Sequence, residues 1–278
     1  MIAILVNPAA TTPKAFEVGQ QIHANLLSKN IEHVLFTESW PGTLKHFTEA
    51  WIVGGDGTIN YYLNYYRDNS IPISVFSAGT GNDFAWKLYK DMPLKEQVDY
   101  VLQAQVKYID TGICNDMFYV NSSGIGFDGE VLKSMKSIRR LGGHLGYLWI
   151  VIKKIFSFKE FSFKIRVDDK SYDEKFLLVA INNSSRTGGG FFVTPSASLT
   201  DEKLDLLLCK PLNLFSRLRY LPVIEKGKHL DLAFIETRLA TNISIETSEL
   251  VYAQLDGELV EGRKFIFSIL PGWLGIKY

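Results

Sequence analysis

Three short segments carry side chains whose types and spacing suit phosphate chemistry. The first is Gly54-Gly55-Asp56-Gly57-Thr58, which closes an apolar run beginning at Trp51. Glycines at three of the five positions let backbone N–H groups approach an anion closely, because no Cβ obstructs them. The lone carboxylate of Asp56 repels a bare phosphate, so it points to a bound cation or to proton handling. A tight turn whose aspartate caps its own helix is the other reading. The second segment, Gly79-Thr80-Gly81-Asn82-Asp83, repeats the theme after the next apolar run. Thr80 can donate to a phosphate oxygen, and an ionised Asp83, which only accepts, suits substrate hydroxyls. Alternatively Asn82 and Asp83 cap a helix. The third is Gln254-Leu255-Asp256-Gly257-Glu258. If a strand continues through the glycine, Asp256 and Glu258 face the same side. Paired carboxylates suit general-base work on an alcohol or the holding of magnesium, and a solvated Asp-Gly hairpin turn is the alternative.

Two further segments are unusual. Asn182-Asn183 precedes Gly188, Gly189 and Gly190, where consecutive glycines supply either a closely approached backbone or a long hairpin excursion. Asp201 and Asp205 bracket a polar turn that could hold a structural cation or lie plainly at the surface.

The elements that must position these residues follow two rhythms. Over roughly the first hundred residues, apolar runs at 2–6, 33–36, 50–53 and 71–76 alternate with helical stretches at 16–29, 41–48, 58–67 and 94–104, as in an open α/β sheet. Ligands bind beyond the carboxyl ends of such strands when the sheet is parallel, which is where Asn7, Asp56 and Asp83 fall. Neighbouring parallel strands would set the two glycine loops side by side. After Lys107 the pattern predicts strands at 107–110 and 117–121 and helices at 129–140 and 145–155. From Phe161 it turns strand-rich, at 161–167, 175–182, 204–209, 229–236, 242–247, 250–256 and 264–269, with one helix at 215–221. Many antiparallel strands with few helices describe a sandwich or barrel. No internal repeat or low-complexity linker interrupts the chain.

Composition narrows the function classes. Thirty basic and thirty acidic residues among 278 give a formal net charge of zero, so there is no broad electrostatic hold on nucleic acid. Cys114 and Cys209 have no metal-ligand spacing and read as reduced core thiols, and five scattered histidines make no zinc constellation. The amino-terminal residues read as a first strand, not a leader. The longest apolar segment, 145–158, is interrupted by Lys153 and Lys154 and is too short to span a bilayer. A cytoplasmic protein is expected. The same segment could touch a membrane surface, or form a buried helix with snorkelling lysines. No feature fixes an oligomeric state.

Taken in order, GGDGTIN at 54–60, GTGNDFA at 79–85, NSSGIGFDGE at 121–130, GGGFFVTPSASLTDEKLD at 188–205 and LDGE at 255–258 resemble the diacylglycerol kinase catalytic-domain family, specifically its bacterial soluble lipid kinases, which are similar to sphingosine and ceramide kinases. GGDG alone is shared with NAD kinases and 6-phosphofructokinases; the GTGNDFA and late DGE elements make the resemblance specific. It implies an α/β ATP-binding domain over residues 1–106, rejoined by a tail from about 270 to 278, and a β-sandwich lipid-substrate domain over 107–269, with the active site in the cleft between them. By the same resemblance Asn7, Gly54, Gly55, Gly57, Thr58, Gly79, Thr80 and Gly81 hold ATP, and Asp56 helps position catalytic magnesium. Asp256 and Glu258 form the base and metal-organising pair, while Asp83 lies near the lipid headgroup or the metal network, joined by Asp110. The Asp201–Asp205 turn resembles a structural magnesium site, with Glu202 where glycine is usual.

Two departures from the family pattern stand out. Asn7-Pro-Ala-Ala-Thr-Thr-Pro-Lys14 lacks the usual Ser-Gly, leaving Lys14 as a substitute phosphate contact, and Tyr61 replaces a customary glutamate. The activity implied is ATP- and magnesium-dependent transfer of a γ-phosphoryl group to the hydroxyl of diacylglycerol or a related lipid. An NAD-kinase-like kinase of a soluble metabolite and a catalytically silent nucleotide or lipid sensor are the rivals.

Overall fold

The computed structural model describes residues 1–9, 13–68, 70–137 and 143–278, and only the backbone of 136, 137 and 143–147. Contacts divide the chain into one unit of Met1–Ile109 with Gly272–Tyr278 and another of Asp110–Pro271.

The first unit opens with β1 (Ile2–Val6), α1 (Lys14–Ser28), β2 (His33–Phe36), β3 (Glu49–Gly54), α2 (Asp56–Tyr65), β4 (Ile73–Ser77), α3 (Asp83–Tyr89) and α4 (Leu94–Gln103). β1 pairs in parallel with β2 and β3, and β3 with β4, giving the order β4-β3-β1-β2. β1 is buried at every position, the mark of a strand covered on both faces. α1 packs through Ala15, Gly19, Ile22 and Leu26, and a Cβ at Gly19 would stand 2.5 Å from Val6 Cγ2, so helix and strand approach as only glycine permits.

Residues 41–48 form no helix. Pro41 and Gly42 disfavour one, and tertiary bonds hold the segment open instead: Trp40 Nε1 donates to Val6 O at 2.8 Å and the Tyr66 hydroxyl to Pro41 O at 2.5 Å. Lys14 starts α1, while residues 10–12 of the Asn7–Lys14 loop lie outside the described residues.

The second unit contains most of β5 (Val106–Cys114), then β6 (Met117–Tyr119), β7 (Ser123–Gly126), α5 (Phe127–Ser137), α6 (Gly143–Ser157), β8 (Phe161–Val167), β9 (Lys170–Phe176), β10 (Leu178–Asn182), β11 (Leu204–Cys209), α7 (Leu214–Glu225), β12 (Ile235–Ala240), β13 (Asn242–Leu255) and most of β14 (Glu258–Lys277). Antiparallel pairing runs β12-β11-β10-β7-β13-β14. β13 is long enough to pair with β8 through Ile243–Thr247 and with β7 through Ala253–Leu255, with a register shift between Glu246 and Val251. That shift explains why one strand reads as two in the sequence. Phe163, Ile165, Ile181, Leu206, Ile245, Phe265 and Phe267 form the core of the sandwich.

Other readings shift too. The run at 175–182 divides between β9 and β10. Residues 229–234 stay outside β12, because His229 is fully buried and donates from Nε2 to Val193 O at 2.9 Å. β7 falls in a Ser- and Gly-rich stretch that carries no strand signal of its own. The helix expected at 129–140 begins at Phe127, and residues 138–140 lie outside the described residues.

The end of β14 belongs to the first unit. Ile276 pairs in parallel with Ile73 of β4, the Tyr89 hydroxyl donates to Lys277 O at 2.6 Å, and Lys277 Nζ meets Glu49 Oε1 at 3.0 Å. Among the described residues no helix is long and apolar enough to cross a membrane.

Candidate active site

In the first unit β3 ends at Gly54 and α2 begins at Asp56, while β4 ends at Ser77 and α3 begins at Asp83. The two glycine loops touch. A Cβ at Gly79 would lie 2.5 Å from Gly55 Cα, and one at Gly54 would lie 2.3 Å from Thr58 Oγ1. These glycines therefore serve close packing between and within the loops. Thr58 turns inward: its Oγ1 accepts from Asn7 Nδ2 at 2.9 Å and from the Gly55 N–H at 3.3 Å, tying the end of β1 to the first turn of α2.

Asp56 reaches across to the neighbouring helix. Its Oδ2 accepts from the Asp83 N–H at 3.1 Å and its Oδ1 from the Phe84 N–H at 3.0 Å, so it caps the neighbouring α3. The contact of Gly55 with Gly79 brings the two helix starts within that reach. A carboxylate is well placed at a helix amino terminus, where N–H groups lack internal acceptors. Asn82, left-handed at φ 53°, folds back instead, accepting from the Gly79 N–H at 2.8 Å and donating to Gly79 O at 2.9 Å. Asp83 is buried, Thr80 is exposed, and Gly57 and Gly81 are half-buried. Tyr61, one turn along α2 from Gly57, is exposed and stacks on Tyr65 with centroids 5.4 Å apart.

The second unit holds the other carboxylates. β13 ends at Leu255, and Asp256 and Gly257 turn the chain with φ of 48° and 86°, as a two-residue type I′ hairpin requires. Asp256 and Glu258 are therefore not alternate positions of one strand; Glu258 pairs opposite Leu255 at the start of β14. Nor is the turn solvated at the aspartate, which is only 2% exposed. Its carboxylate accepts from the N–H groups of Val120 at 2.8 Å, Asn121 at 3.0 Å and Ser122 at 2.9 Å. Three such donors fix its orientation.

Around this hairpin lies a buried polar layer. Asn182 Oδ1 accepts from the Ser123 N–H at 3.1 Å, Ser122 and Thr187 hydroxyls meet at 2.8 Å, and Asn183 Nδ2 donates to the carbonyls of Asp110 and Val120. Asn182-Asn183 thus organises the backbone beside Asp256. Asp110 accepts on Oδ2 from the Glu202 N–H at 2.7 Å, which fixes the turn bracketed by Asp201 and Asp205. Glu202 sits at φ 60°, so glycine would be the strain-free residue at that position. Asp201 Oδ1 accepts from the Lys203 N–H at 3.2 Å, a local turn bond.

Asp128 in the NSSGIGFDGE segment has no role in the motif reading, yet it carries a physical signature. It begins α5 against β7, where a Cβ at Gly124 would meet its Oδ2 at 2.2 Å. Burial pushes its carboxyl up from 3.8 to about 6. An acid favoured in its neutral form in the folded state stabilises that state below pH 4 and penalises it as pH rises through 6. Asp128→Asn is therefore expected to raise stability at pH 7.5 by roughly 2 kcal/mol, allowing for partial solvent access, and to lose that advantage near pH 4 in urea melts. An aspartate followed by glycine at a helix start beneath a Gly-rich strand is the signal that could have singled it out.

Among the described residues no three His, Cys, Asp or Glu side chains gather into a metal cage. The hard oxygen donors of Asp56, Asp256, Asp201 and Asp205 fit magnesium's usual mode, one or two carboxylates completed by substrate phosphates and water. Cys114 and Cys209 are buried and free, and burial pushes both thiols up to about 12, as suits inert core residues.

Comparison with known proteins finds the same two kinds of domain in the same order. Residues 1–114 match the diacylglycerol kinase catalytic domain, and residues 121–277 match the YegS C-terminal NAD kinase β-sandwich-like domain. A diacylglycerol kinase of Bacillus subtilis is 28% identical over 219 residues, covering 77% of this chain and 72% of that protein. A diacylglycerol kinase of Mycobacterium tuberculosis is 26% identical over 274 residues, covering 92% and 88%. A crystal structure of a diacylglycerol kinase from Bacillus anthracis superimposes with a TM-score of 0.71 at 21% identity, over 100% of this chain and 96% of that one, a likeness of fold.

Proposed function

The chain belongs to the bacterial lipid-kinase family that joins a diacylglycerol kinase catalytic domain to a YegS-type β-sandwich, and from that premise we propose that it transfers the γ-phosphoryl group of ATP to the hydroxyl of diacylglycerol or a closely related lipid. The observation that carries this reading is the joining of the two glycine loops through Asp56, which orders two helix amino termini as one rigid element. Glycine-rich turns favour anions, and here the two glycine loops bind and orient the donor phosphates. Asn7 and Thr58 hold the shape of that cradle. Asp56 is the carboxylate on the donor side, with Asp83 beside it.

Asp256 serves the acceptor. Its orientation is set by three backbone amides, and it accepts a hydrogen bond from the lipid hydroxyl, aligning the oxygen for in-line attack. In a loose transition state bond breaking to the ADP leaving group runs ahead of proton loss, and the hydroxyl proton then passes to the Asp256 carboxylate. Glu258, half-buried at the start of β14, supports the charge balance around the attacking oxygen. Magnesium, when bound with the nucleotide, supplies neutralisation of the charge on the transferring group. Asp110, through the Glu202 N–H, holds the turn that Asp201 and Asp205 bracket.

A panel of acceptors offered with labelled ATP tests the assignment: dispersed diacylglycerol, ceramide, a monoacylglycerol, NAD, a sugar and a nucleoside. Label is expected in a lipid product. Label in NAD or a sugar, or in no acceptor above an Asp56→Ala control, would overturn the lipid assignment.

A further inference from the structure

Helix α6 is apolar on both of its faces, for different reasons. Ile150, Val151 and Ile155 are buried in a cluster packed by Phe127 of α5 and Leu221 of α7. Trp149, Ile152 and Phe156, spaced three and four apart, lie on the opposite side and are exposed, with Trp149 at 51% and Phe156 at 61%. On α7, Leu214, Phe215 and Leu218 are likewise exposed, Phe215 to 73%. The two helices are fastened together. Arg217 donates to the carbonyls of Ile155 and Phe158 at 2.9 and 3.0 Å, closing the carboxyl end of α6, and pairs with Glu160. Six exposed apolar side chains on one clamped helix pair are more than the single exposures ordinary for a protein surface.

The charges around it have one sign outward. Lys154 is satisfied by Glu130 at 2.7 Å, and Arg217 by Glu160. Lys153, Lys159 and Arg219 are exposed, and among the described residues they meet no carboxylate; Lys153 lies over the Trp149 ring at 5.6 Å. Aromatic and aliphatic side chains interleaved with unpaired cations match the boundary of an anionic bilayer, where rings sit at headgroup depth and lysine or arginine meets lipid phosphate.

We propose that α6 and α7 form the surface by which this protein docks on an anionic lipid bilayer, with Trp149, Phe156 and Phe215 entering the headgroup region and Lys153, Lys159 and Arg219 meeting its phosphates. The inference rests on the lipid-kinase reading and deepens it, because a water-insoluble acceptor must be taken from a membrane. The double variant Phe156→Glu/Phe215→Glu tests it in two assays. Flotation with vesicles of phosphatidylglycerol and phosphatidylcholine is expected to recover the unmodified protein at least tenfold better than the variant, and better than pure phosphatidylcholine recovers either. Phosphorylation of diacylglycerol embedded in those vesicles is expected to fall at least tenfold, with dissolved short-chain diacylglycerol phosphorylated at an unchanged rate. Equal flotation of the two proteins, equal loss on both substrates, or sedimentation showing that the double variant converts a stable dimer of this chain to monomer would overturn the docking surface. An unmodified protein inactive on either acceptor contradicts the kinase reading alone, since flotation decides the docking separately.

Discussion

Asp256→Asn is expected to slow phosphoryl transfer at least about a thousandfold, as loss of a group acting in the transition state does, while leaving the hairpin in place. Asparagine tolerates the left-handed backbone that Asp256 adopts at φ 48°, so the turn itself is not at issue. The amide, however, replaces one acceptor oxygen with a donor. Turned either way, its NH₂ confronts the Val120 N–H or the pair from Asn121 and Ser122. A buried donor left without an acceptor costs about 1–3 kcal/mol, and more where a charge had served it. Stability should therefore drop by roughly 2–4 kcal/mol, measurable in urea, and the rate must be compared at a temperature where circular dichroism shows the variant folded. A folded variant retaining more than about a tenth of the rate would remove Asp256 from the reaction.

Asp56→Ala carries the second large effect. It strips the acceptor from the N–H groups of Asp83 and Phe84, both almost fully buried residues, and unties the two glycine loops. The expected result is a loss of about 2–4 kcal/mol in stability and at least about a hundredfold in transfer. Asp56→Asn separates the two contributions. It keeps one oxygen acceptor, so it should recover about half of the lost stability, yet without the negative charge it should stay as slow as the alanine variant. Calorimetric binding of ADP provides the third reading: weakened in Asp56→Ala, where the cradle loosens, and closer to the unmodified value in Asp56→Asn.

The order of the two architectures is legible in the sequence because each has its own period. Apolar runs that feed polar turns and helices mark the α/β half, and β1, buried throughout, could not be read otherwise. The alternating burial of β8, from Phe161 to Val167, marks the sandwich. Contact between the glycine loops also follows from parallel neighbours β3 and β4. What resists local reading is every feature settled by a distant partner. The residues at 41–48 have a plausible helical pattern, but Trp40 and Tyr66 hold them as a loop. Asp256 reads locally either as a strand residue or as a solvated turn. It is a turn residue that is buried, because amides about 135 positions earlier in the chain converge on it. Asp128 is marked in the sequence only by an Asp-Gly pair at a helix start, since its altered acidity comes from burial in the folded chain. Glu202 stands where glycine is expected, and the Asp110 carboxylate that receives its N–H helps hold the strained conformation.

The central claim is that this chain phosphorylates a lipid alcohol using Asp256 on the acceptor side. Its most direct test is the initial rate at which radiolabel passes from γ-labelled ATP to dispersed diacylglycerol, with magnesium present, by the unmodified protein and by folded Asp256→Asn side by side. The account predicts one labelled lipid monoester from the unmodified protein and a rate at least about a thousandfold lower from the variant. Labelled lipid formed equally by both proteins, or label passing to a soluble acceptor while the lipid stays unlabelled, would contradict it.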